Sequence, residues 1–248
     1  MLVPTREPDP LSKPTRPAYL KLQRAFFAAC LILWPLLMFV EVLFNPARNA
    51  VNGTGSAAIA ANTMSWACTV YPLRVFLVVI AAFIVPFAVL GMTQVTMRRS
   101  PWLATIGGFL TLTGGVALIV FAGQDDLTYL MAQMGGGPQL AALWDRFNTD
   151  PLMTAYLYMV ILGYFLVGPL LLAIGLGRGH LIPTWAVWVL ILRTPVQIVG
   201  FVAHIGLSIE LVTSGLLLIG VIPVALALLK LSDEETPAGA DEQPASTT

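Results

Sequence analysis

Six stretches of about 20 almost wholly apolar residues constrain this chain more than any other feature: residues 25–44, 75–96, 102–121, 153–176, 184–203 and 211–229. A helix rising about 1.5 Å per residue needs about 20 such residues to cross a hydrocarbon core about 30 Å thick. Inside that core no water is available to backbone N–H and C=O groups, so each segment has to satisfy its own as a helix. The expected fold is therefore all-α, a polytopic membrane protein of six transmembrane helices. Residues 1–24, with their charges and prolines, read as a flexible cytoplasmic tail, 25–230 as the membrane domain, and 231–248 as a disordered acidic tail.

Charge placement orients the bundle. Arg6, Lys13, Arg16, Lys21, Arg24, Arg98, Arg99, Arg178 and Lys230 all fall on one side of a six-span topology, against Arg48, Arg74, Arg146 and Arg193 elsewhere. Nine basic residues against four make that side cytoplasmic by the positive-inside rule, with both termini inside and a bacterial cytoplasmic membrane as the location. Trp102, Trp185 and Trp188 then mark the inner interface, and Trp66, Trp144 and Tyr156 the outer one. The first apolar segment is too long and too far from the start for a cleaved signal peptide, so it is expected to remain as an anchor.

Composition narrows the function classes. Charged residues are 10% of the chain and hydrophobic ones 57%, with a net charge of zero. Such a chain has no basic field for nucleic acid, and membrane lipids are its expected partners. Cys30 and Cys68 fall at opposite faces of the bilayer, too far apart for a disulfide. His180 and His204 likewise flank the fifth segment at opposite faces and share neither a metal ion nor a haem. No zinc spacing, phosphate-cradling loop or nucleophile elbow occurs, so no catalytic, cofactor or metal-binding residue is assigned and the chain is read as a non-enzyme.

Within the spans, Pro86, Pro169 and Pro223 each free a backbone carbonyl that a neighbour has to satisfy. Ala104, Gly108, Thr111 and Gly115 recur at helical spacing in the third span and predict close helix packing on one face. In the loop before the fourth span, Leu140, Leu143, Trp144 and Phe147 form an i, i+3, i+4, i+7 stripe. It predicts an amphipathic helix at the outer interface or capping the bundle.

The polar residues of greatest interest are Glu41, Arg74, Arg193, Gln197, His204 and Glu210, all expected in the outer half of the bundle. Arg193, Gln197, Gly200 and His204 share one helix face, which should turn inward, because a charge at the bilayer centre costs at least ~2.5 kcal/mol. Glu41 is the expected partner of Arg193. A Glu41–Arg74 pair, with Arg193 on backbone carbonyls, is the fallback. Three roles compete for this cluster: orienting helices, binding an anion or lipid headgroup in an outer cleft, as a small transporter or lipid-binding protein would, or relaying protons.

The run Arg98, Arg99, Ser100, Pro101, Trp102, continuing to Gly107 and Gly108, resembles the second hairpin of uncharacterised six-helix membrane proteins common in actinobacteria. Gly175 to Arg178, with Ile182, Pro183, Thr184 and Trp185, is similar to their fourth-to-fifth connection. The resemblance covers residues 25–230 and implies the six-helix architecture of a domain of unknown function. It brings no functional residues with it.

Overall fold

The computed structural model describes residues 18–44, 67–116, 118–203 and 208–231, and among these no strand occurs. The helices are α1 (Ala18–Leu43), α2 (Ala67–Met97), α3 (Pro101–Val116), α4 (Leu118–Gln133) and α5 (Pro138–Thr149), followed by α6 (Pro151–Arg178), α7 (Thr184–Val202) and α8 (Ser208–Lys230). Residues 18–24, read above with the tail, form the first turns of α1. Most of both expected tails, the first external loop and His204 lie outside the described residues.

Among the described residues, four helices are long and apolar enough to cross a membrane: Tyr19–Leu43, Pro72–Met97, Pro151–Arg178 and Ile209–Lys230. The fifth expected span is shorter, 19 residues as α7 or about 28 Å. The third, expected over 102–121, is described as α3 up to Val116 and as α4 from Leu118, with residue 117 outside the described residues.

Six helices close a ring in the order α1, α2, α3, α6, α7, α8, with α8 back against α1. The start of α1, the end of α2 and the end of α8 meet at one end of it, where Arg24, Met97, Arg98 and Leu231 line a common cavity. Its centre is one apolar core built on Leu31, Trp34, Val89, Tyr164, Leu172 and Val224. The outward faces are apolar too: Phe83, Phe109, Trp188 and Ile219 are each more than half exposed. Helices apolar all round belong in a core or a bilayer.

α3 wedges between α2 and α6, and its small residues serve two faces rather than the expected one. Gly108 and Gly115 face α2, where a Cβ would stand 2.5 Å from Thr93 Oγ1 and Val85 Cγ1 respectively. Gly107, Thr111 and Gly114 face α6, where a Cβ on Gly114 would meet the Tyr164 backbone nitrogen at 2.6 Å. Only small residues let two backbones approach this closely.

α4 lies along α2, and α5 reaches the start of α6. Trp144 is buried against Met131 and Ala132, with Leu140 and Phe147 packed beside it, whereas Leu143 is exposed. The stripe of α5 thus covers α4 with three of its four residues.

Candidate functional site

Pro169 has no N–H, so the carbonyl four residues before it, on Phe165, lacks its usual helical donor. The chain answers with a π-helical segment, Ile161–Val167, in which Gly168 N–H bonds back five residues to Gly163. Arg193 on α7 meets the exposed carbonyl: its Nη1 donates to Phe165 O at 3.2 Å, and the guanidinium carbon lies 5.9 Å from the Phe165 ring centroid. The guanidinium is buried. Carbonyl bond and ring face together replace part of the hydration that it loses there.

The acid expected beside it is engaged elsewhere. Arg74 Nε donates to Glu41 Oε1 at 2.6 Å, joining the last turns of α1 to the start of α2, with the two side chains 7% and 5% exposed. The fallback pairing is therefore the one observed, and it corrects the Glu41–Arg193 expectation. The reason lies in the ring order. α2 is the immediate neighbour of α1, whereas α7 is separated from it by α8.

Beside Arg193 lies a cavity of about 20 Å³, lined by Trp34, Met38, Tyr164, Phe165, Glu210, Thr213, Ser214 and Leu217 as well. That is room for one water. Trp34 Nε1 donates to Tyr164 Oη at 2.5 Å across the ring interior, leaving the tyrosine proton to point at another acceptor. Glu210, in the first turn of α8, brings a carboxylate to the same cavity.

Arg193, Gln197 and Gly200 are all buried, so this face of α7 turns inward as its polarity required. Gly200 abuts Ile209 of α8. Arg193 Nε, Thr194 Oγ1 and both amide atoms of Gln197 have no hydrogen-bond partner among the described residues. His204, the outer member of the stripe, lies outside those residues. No group of three His, Cys, Asp or Glu side chains suited to a metal gathers among the described residues.

The five described candidates thus divide into a Glu41–Arg74 pair and a centre around Arg193 that includes Glu210, with Gln197 on the same face of α7. Trp34 and Tyr164 were missed. A tryptophan ten residues inside a span sits far from either interface belt, and its indole N–H needs a partner there. That displacement was the available signal. No family model, curated protein or solved structure matches the chain. Chemically, the centre offers guanidinium and hydroxyl donors and one carboxylate around a space the size of a water.

Proposed function

We propose that this chain is a six-pass protein of a bacterial cytoplasmic membrane, with both termini inside and a non-enzymatic role as a structural or interaction component. The closed ring supports six crossings, because α3 and α7 each stand between long apolar helices and share their buried and outward faces. The kinship suggested by the residues around Arg98–Gly108 belongs to the same proposal.

One observation carries the structural reading of the polar interior. Its charges are answered inside the bundle, Glu41 by Arg74 and Arg193 by the Phe165 carbonyl, and the space beside Arg193 has room for a single water. Intramembrane charges held in this way fix helix order. The test is flux through the purified protein in proteoliposomes loaded with pH-sensitive and halide-sensitive dyes. The expected result is no flux above empty vesicles.

A second reading rests on a separate observation, the unpartnered Arg193 Nε and Gln197 amide next to a π-helical segment. Such segments recur at functional sites, and buried orphan donors suit a small anion or transported solute. Halide or proton flux abolished by Arg193→Gln favours this reading over the structural one.

A further inference from the structure

Ile219, Ile222, Leu226 and Lys230 recur on α8 at i, i+3, i+7 and i+11, so they share one face of the helix. All four are exposed. With Trp185, at the start of α7, they line a groove of about 430 Å³ between the two helices. The groove has two unlike ends. One closes where the helices touch, at Gly220, where a Cβ would stand 2.6 Å from Leu190 Cδ2. The other is Lys230, about 15 Å further along α8.

A furrow that is apolar along its length and carries a cation at one end has the polarity of a single phospholipid. An acyl chain fits against Ile219, Ile222 and Leu226, and a phosphate at the Lys230 ammonium. Among the described residues that line the groove, Lys230 is the one charged group, so the lining offers no carboxylate to the ammonium of a zwitterionic headgroup. That charge selects an anionic lipid. Trp185, 53% exposed on the facing wall, belongs to the residue type that settles at headgroup level, and a lysine at a helix end extends its ammonium to the same level.

We infer that the α7–α8 groove binds one anionic phospholipid from the surrounding leaflet, with its phosphate at Lys230 and an acyl chain along α8. Basic side chains beside clefts between helix ends hold such headgroups. The site rests on the membrane reading proposed above: α8 is one of the helices long and apolar enough to cross, and α7 crosses beside it in the six-pass arrangement.

The test is native mass spectrometry of the full chain released from nanodiscs of phosphatidylcholine and phosphatidylglycerol. Wild type should retain one phosphatidylglycerol in preference to phosphatidylcholine. Lys230→Gln should lower that retention about fivefold, the factor for one basic residue near an anionic surface. Leu226→Trp, which fills the groove and leaves the charge in place, should lower it as well. Arg178→Gln, at an exposed arginine outside the groove, and Val199→Trp, at an exposed position of α7 outside it, should leave retention unchanged.

Equal loss in Lys230→Gln and Arg178→Gln would overturn the site in favour of diffuse surface charge. Full retention in Leu226→Trp would overturn the groove as the seat of the chain. A lipid-free dimer that Leu226→Trp converts to monomer would overturn the lipid as occupant and make this face an interface between copies. A chain that enters nanodiscs and retains no lipid overturns the site alone, whereas a chain that does not enter them overturns the membrane reading beneath it.

Discussion

At the residue scale, the chain tolerates buried charge where it supplies a partner at once. Removing the carboxylate of Glu41 breaks its buried pair with Arg74, a loss in the range of about 3–5 kcal/mol for broken buried pairs. Glu210 is only partly buried at a helix start, so Glu210→Gln should cost less. Thermal melts in detergent should rank Glu41→Gln well below Glu210→Gln, and equal tolerance would contradict the pairing. Tyr164→Phe removes the acceptor for the Trp34 indole and should cost about 1–3 kcal/mol, the penalty of one buried donor left unmade. That Glu41 and Arg193 would be buried was legible from their positions in apolar runs, and Arg74 stands at the edge of one. Which of them would pair was not, because pairing follows helix order around the ring, and six apolar segments of similar character do not declare that order.

At the scale of elements, Pro169 and Arg193 each announced a need, one for a donor to a freed carbonyl and the other for an acceptor. Pro195, on the arginine's own helix, frees a carbonyl as well. The structure joins the arginine to Phe165 instead, because α6 packs beside α7 and the π-helical segment presents this carbonyl toward it. Pro169→Ala restores an N–H in the helix and should make Arg193 partly redundant. In a double-mutant cycle read by thermal melts, Arg193→Gln should cost less in the Pro169→Ala background, by a coupling of about 0.5–3 kcal/mol. Strict additivity would show that the carbonyl and the guanidinium are not energetically linked.

The small residues of α3 were legible as a packing signal. Their division between two neighbours was not, because helical spacing alone does not tell one contact face from two adjoining ones. Gly114→Leu should destabilise the bundle by at least about 1–3 kcal/mol, since the Tyr164 backbone has nowhere to move. Gly123→Ala, where no atom lies within 4 Å, should be tolerated in the same melts.

At the scale of the whole molecule, the apolar runs made the helices legible, and their boundaries less so. The third run is expected to end at Phe121, whereas helix is described on to Gln133, residue 117 lying outside the described residues, and α4 lies along α2. Among the described residues four helices are long enough to cross on their own, and in the six-pass arrangement proposed above α3 and α7 cross with them. The alternative, in which only α1, α2, α6 and α8 cross, keeps the C-terminus on the same side and is invisible to a C-terminal tag. It inverts α6 and therefore exchanges the sides of the turns at its two ends. Sidedness reporters inserted at Gly135–Gly136, in the turn between α4 and α5, and at Gly179–His180, after α6, measure this difference directly. Six crossings predict the first reporter outside and the second inside; the first inside with the second outside would contradict the six-helix membrane bundle.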